Sequence, residues 1–158
     1  MPYRVFISHS TRDQGLVIAL AHLLSEFEID VFVAEWYLMP GQGLDQKVFG
    51  QIDSADCVVV LLTRNGRRSA WVQQEIGWAL AKPKIVIPLV EKGTDPRDLG
   101  ALQGKDYIEY DPQDYQSALT KASIYVKSLK LKKEEQKKAL LVAGGIVAFL
   151  LLLSEGDK

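Results

Sequence analysis

Between Asp56 and Thr63 the chain reads Cys57-Val58-Val59-Val60-Leu61-Leu62, an apolar run with no polar interruption. A strand of this kind has no face to offer to water, so it must lie centrally and be covered on both sides. The flanking segments supply candidates for that cover. Tyr3 to Ser8 is a short β-rich run that ends in a polar loop, and Asp13 to Phe27 carries Leu16, Ile18, Ala19, Leu20, Leu23 and Leu24 at helical spacing. Ile29 to Val33 reads as a second strand, followed by a loop punctuated by Pro40-Gly41 and Gly43. Leu44 to Ser54 places Val48, Phe49 and Ile52 on one helical face. After the central run, Ser69 is suited to cap a helix reaching about Ala81. Lys84 to Val90 reads as a fourth strand, with Pro88 predicting an edge position or an early end. Tyr107 to Tyr110 reads as a short fifth strand. A last helix begins near Pro112 and carries Tyr115, Ala118, Leu119, Ala122, Ile124, Tyr125 and Leu129. Strands and helices that alternate in this way predict an α/β fold, a parallel five-stranded sheet with helices on both faces. Ligands of such sheets bind at the carboxyl ends of the strands.

Bulk composition narrows the function. At 158 residues, with 47% hydrophobic and 25% charged, the chain suffices for one domain with a full core. A net charge of −1 gives no electrostatic footprint for nucleic acid, and no nucleic-acid partner is expected. The single cysteine, Cys57, allows no intrachain disulfide and reads as a buried strand residue. No Cys/His cluster has metal-ligand spacing and no G-x-x-x-x-G-K-[ST] loop occurs, so neither a metal nor a bound cofactor is expected. A phospho-acceptor receiver domain shares the layout but needs acids directly after the first and third strands, where this chain has Ser8-His9 and Thr63-Arg64.

The last twenty residues differ in character. Ala139 to Leu153 has no charged or strongly polar side chain, and Lys127, Lys130, Lys132, Lys133, Lys137 and Lys138 precede it. Fifteen residues make about 22 Å of helix, against a hydrocarbon core of about 30 Å. With snorkelling lysines this reads as a tail anchor that holds the domain on the cytoplasmic side of a membrane. The alternative is a hydrophobic helix that packs against other copies, and Gly144-x-x-x-Ala148 permits close approach in either case. The opening strand has no signal-peptide features before it, so a cytoplasmic rather than secreted location is expected.

Four pieces of the chain, in order, resemble the TIR (Toll/interleukin-1 receptor) domain family. They are Val5-Phe6-Ile7-Ser8-His9-Ser10 with Asp13; Val31-Phe32-Val33 leading to Trp36, Leu38 and Pro40-Gly41; Ser54-Ala55-Asp56 before the apolar strand; and Ser69-Ala70-Trp71-Val72-Gln73-Gln74-Glu75, similar to the family's S-x-W-x-x-x-E helix. The resemblance covers roughly residues 3 to 128 and implies a flavodoxin-like sheet. It also implies one of two occupations: cleavage of NAD as substrate, by hydrolysis or cyclisation, or assembly through TIR–TIR contacts. Many prokaryotic relatives that cleave NAD do so to make a nucleotide signal or to deplete NAD in antiviral defence. Most animal receptor members lack the catalytic glutamate, which is present here as Glu75.

Cleavage of the nicotinamide–ribose bond passes through an oxocarbenium-like ribosyl cation. A carboxylate close to the anomeric carbon in a dry site stabilises that cation, and nicotinamide leaves as a neutral base. Glu75 is the expected catalytic residue, with Trp71 and Trp78 four before and three after it on the same side of the helix. The stripe Val72, Ile76, Ala79 and Leu80 is then expected to face the sheet, leaving Glu75 off it. The plain alternative is a solvated helix glutamate flanked by packing tryptophans. Ser8, His9, Ser10 and Thr11 leave the first strand where a ligand should sit, and relatives touch the dinucleotide at the positions matching Ser10 and Thr11. Trp36 is suited to stack on a base, or else to bury its own loop. Ala34 stands where many relatives carry an acid, so one loop contact is missing. The expected organisation is a TIR domain over 1–128, a basic linker over 129–138, a transmembrane or packing helix over 139–153 and a polar tail over 154–158. Two rivals remain open: a non-catalytic interaction module in which loop 34–44 mediates docking, and a nucleoside deoxyribosyltransferase-like enzyme, which also uses a glutamate near an anomeric carbon.

Overall fold

The computed structural model describes residues 2–33, 44–64, 70–102, 104 and 106–156. Five strands, β1 (Tyr3–Ser8), β2 (Ile29–Phe32), β3 (Cys57–Leu62), β4 (Ile85–Glu91) and β5 (Ile108–Tyr110), form one parallel sheet in the order β2-β1-β3-β4-β5. This is the flavodoxin-like order, whose direction of winding reverses between β1 and β3. The central apolar strand β3 is buried at every position, as an uninterrupted apolar run requires. It pairs with β1 from Val5↔Cys57 to Ser8↔Val60, and with β4 from Cys57↔Ile85 to Leu62↔Val90.

Among the described residues the α-helices are α1 (Gln14–Ser25), α2 (Leu44–Ser54), α3 (Ala70–Ala81) and α4 (Tyr115–Gly156). Strand side chains alternate between faces. Phe6, Val58, Val60, Leu62 and Val90 form one core with Val48 and Ile52 of α2, Val72, Ile76 and Ala79 of α3, and Leu99 and Leu102. Val5, Ile7, Val59 and Leu61 point to the other face and are equally buried, with Val17, Leu20 and Leu24 of α1 among the remaining core residues. Leu99 and Leu102 belong to a 3-10 segment, Pro96–Leu102, for which the sequence shows no periodic signal. Within it Gly100 takes φ 57°, ψ −126°, and a Cβ there would meet Gln73 Oε1 of α3 at 3.0 Å. The positive φ, which side chains rarely adopt, is what favours glycine here.

The approach to β3 is tied down by its own polar residue. Asp56 Oδ2 accepts from the Arg4 backbone N–H at 2.8 Å, while the Asp56 N–H donates to the Arg4 carbonyl at 2.8 Å. These two bonds continue the β1–β3 pairing beyond the strand itself, which explains an acid immediately before an apolar strand. Pro88 neither ends β4 nor places it at the edge of the sheet: β4 runs to Glu91 between β3 and β5. Because β5 pairs only with Leu89 to Glu91, Pro88 stands where β4 still has an open side, and a missing N–H is tolerated there.

The chain divides into two compact units, Met1–Ile124 and Tyr125–Lys158. In the first, α4 buries Ala118, Leu119 and Ala122, whereas Tyr115 and Ile124 are exposed. In the second the helix continues to Gly156, so the stretch 129–138, expected as a linker, is helical. Among the described residues no helix is long and apolar enough to cross a membrane. The span expected over 139–153 thus finds no support: the apolar stretch is the end of a longer helix whose preceding turns are lysine-rich, and it falls short of the hydrocarbon thickness.

Candidate functional site

The reversal of winding opens a crevice between the carboxyl ends of β1 and β3, the place where open parallel sheets take ligands. Ser8, the last residue of β1, is fully buried, and its Oγ has no hydrogen-bond partner among the described residues. By strand alternation it shares the Phe6 face, the face packed by α2 and α3. A buried hydroxyl left unsatisfied carries a desolvation penalty of about 1–3 kcal/mol, so its presence at a ligand-binding edge is informative.

His9 follows, with 7% of its surface exposed. Its Nδ1 lies 2.7 Å from the Ser10 carbonyl oxygen. A carbonyl only accepts, so the proton sits on Nδ1 and Nε2 is the ring's acceptor in the neutral form. The Ser10 side chain caps the short 3-10 turn Thr11–Asp13 by accepting from the Arg12 N–H at 3.3 Å. Asp13, mostly buried, accepts from Thr63 Oγ1 at 2.5 Å across the crevice. Neither this pair nor its purpose is visible in the sequence, where Asp13 is only a motif residue and Thr63 only the end of a strand. The signal is a polar residue directly after β3 and an acid five residues beyond β1, in the loops at the same end of two adjacent strands. Tyr110, at the end of β5, completes this edge. Burial first, then the negative charges of Glu91 and Asp13, raises its phenol above the ordinary range.

Glu75 lies on α3, which packs against β1, β3 and β4. The expected stripe is present, with Val72, Ile76 and Ala79 buried and Leu80 partly so. Glu75 is not turned away from it: the residue is 2% exposed, as deeply buried as its apolar neighbours. The solvated-glutamate alternative does not describe this residue, and neither does its expected place off the buried stripe. Trp78 stacks on Phe49 of α2 with ring centroids 4.4 Å apart, and its Nε1–H donates to Asp53 Oδ1 at 2.8 Å. Lys84 Nζ donates to the Asp53 and Ala55 carbonyls at 2.6 and 2.8 Å, closing the carboxyl end of α2 with a positive charge. Trp71 stands one turn before Glu75 on α3, and Thr11 opens the 3-10 turn, but the side chains of both lie outside the described residues. Trp36 and most of loop 34–44, together with Ser69, lie outside them as well. Among the described residues no group of three or more His, Cys, Asp or Glu is arranged to hold a metal ion.

The TIR domain model matches residues 5–122, from within β1 through β5 and into α4. The chain belongs to the TIR domain family. Solved structures agree on the fold of this TIR domain. One is the TIR domain of a Toll-related receptor from Hydra magnipapillata, with a TM-score of 0.64 and 16% identity over 78% of this chain and 97% of that one. The CMP N-glycosidase BcmB of Clostridium botulinum has a TM-score of 0.60 and 23% identity, covering 77% of this chain and 98% of its own. The TIR domains of the activated Roq1 resistosome give 0.53 and 23% over 75% of this chain and 69% of that one. No curated protein matches the sequence.

Proposed function

We propose that this TIR domain is a nucleotide N-glycosidase that cleaves the nicotinamide–ribose bond of NAD, with Glu75 as the catalytic carboxylate. The observation that carries this reading is the burial of Glu75, 2% exposed, on the helix that packs against β1, β3 and β4. Water is excluded there, so a negative charge acts on a developing ribosyl cation with little screening. The electron pair of the glycosidic bond leaves with nicotinamide and neutralises its ring. Water, or a second nucleophile on the same substrate, then adds to the anomeric carbon and loses its proton. The released nucleotide serves as a signal, or the reaction depletes NAD. Self-association of the kind seen in resistosome TIR domains supports a site that works in an assembly.

Purified protein incubated with NAD, with products identified by mass, tests the reading. Free nicotinamide with ADP-ribose indicates a hydrolase, and nicotinamide with a dehydrated product indicates a cyclase. No nicotinamide at any protein concentration rejects the enzyme and leaves the interaction module, a reading favoured by the likeness to a receptor TIR domain. A second enzymatic reading has an observation behind it. The likeness to a CMP N-glycosidase supports a mononucleotide substrate, so release of cytosine from CMP without NAD turnover would select it.

A further inference from the structure

We propose that Thr63 and Asp13 are positioning residues that set the tautomer and orientation of His9 through a hydrogen-bond chain across the β1/β3 crevice. The use assigned to His9 here rests on the glycosidase reading above; the chain itself rests on geometry. Thr63 Oγ1–H donates to Asp13 Oδ2 at 2.5 Å. The Asp13 backbone N–H donates to the Ser10 carbonyl at 2.9 Å. His9 Nδ1–H donates to that same carbonyl at 2.7 Å. One oxygen thus receives both the ring and the backbone of the residue anchored to β3, so the His9 ring is referenced to the far side of the crevice.

The arrangement serves orientation better than stability. Thr63 and Asp13 are 4% and 7% exposed, and a carboxylate buried to this degree is a poor source of net stability, since apolar residues of similar volume do as well or better. It spans the point where the sheet reverses its winding, which is where a ligand enters. Its far end is a nearly buried imidazole whose remaining nitrogen, Nε2, is held as an acceptor. In a glycosidase such an acceptor takes a hydrogen bond from a ribose hydroxyl. Equally, it receives the proton of the water that adds to the anomeric carbon and returns that proton to solvent. Either role depends on ring orientation, which second contacts of this kind normally fix.

Long-range proton–nitrogen spectra of the full chain, recorded where the imidazole is neutral, read the tautomer of His9 directly. His22, the other histidine, is assigned by comparison with His22→Gln. The wild type is expected to show the proton on Nδ1. Thr63→Val removes the donor at constant volume and should shift the ring toward a tautomer mixture; Thr63→Ser, which keeps the hydroxyl, should restore the wild-type pattern. In parallel, kcat for NAD should fall about ten- to a hundredfold in Thr63→Val with KM little changed, and return in Thr63→Ser. If Thr63→Val fails to fold, Thr63→Cys, a weak donor of similar size, serves as the disrupting variant. A folded Thr63→Val with an unshifted tautomer and unchanged kcat would overturn the proposal. Wild-type protein that cleaves no nucleotide would instead reject the glycosidase reading, while the tautomer would still decide the chain.

Discussion

Glu75 shows how a residue's role depends on what its helix is pressed against. From periodicity it sits beside the apolar stripe of α3; in the fold it is buried as completely as Val72 and Ile76. Glu75→Gln keeps the shape and removes the charge, so NAD turnover should fall at least a hundredfold while the unfolding midpoint stays within a few degrees. Product analysis by mass together with a thermal melt checks both halves, and full activity in Glu75→Gln would reject the assignment. Cys57 shows the opposite case, a chemically capable group silenced by position. Burial, the largest influence, pushes its thiol from 9.0 up to about 12, against a smaller lowering by a hydrogen bond with Tyr3. The thiolate is the reactive form, so folded protein at neutral pH should resist thiol reagents and react only on unfolding. The linkage has a definite sign. The folded thiol ionises later than the unfolded one, so its contribution to stability is complete below pH 9 and is lost as pH rises from 9 toward 12. Labelling kinetics in native buffer and in urea measure this directly.

At the scale of elements, the α2–α3 seam decides whether tryptophans serve the site or the scaffold. Trp78 bridges the helices by stacking on Phe49 and by its bond to Asp53, and Lys82 lies over the same ring at 5.0 Å. Trp78→Phe should retain the stack and lose the hydrogen bond, costing about 1 kcal/mol, while Trp78→Ala should cost about 2–4 kcal/mol. Urea unfolding separates the two, and both variants should retain nucleotide KM wherever they remain folded. A tenfold rise in KM for Trp78→Phe would place this ring in the site after all.

For the whole molecule, the chain consists of a TIR unit and a helical extension. Every buried hydrophobic residue of the described core lies at or before Val126. Deleting residues 139–158 should therefore leave thermal unfolding of the domain within about 3 °C, the shift that 1 kcal/mol makes in a domain this size. Circular dichroism melts of the full and shortened chains measure it, and a larger drop would show that the extension stabilises the domain.

Much of the fold was legible in the chain. The run Cys57 to Leu62 and the helix Leu44 to Ser54 occupy the expected residues, because an unbroken apolar strand and a clear 3.6-residue period each admit one solution. Ser8, His9 and Ser10 could be placed at the carboxyl end of β1, since the parallel α/β layout dictates where such loops fall. Other features only the tertiary structure decided. The segment Pro96–Leu102 has no period to read, and its Leu99 and Leu102 join the core beside α2 and α3 only in the packed fold. The contacts of Trp78 with Phe49 and Asp53 join two helices that the sequence does not place side by side. Asp13 and Thr63, fifty positions apart, meet only because β1 and β3 are neighbours in the sheet. Periodicity reports how a residue faces its own element, whereas a bond across the crevice depends on which elements lie side by side, and only the packed sheet determines that.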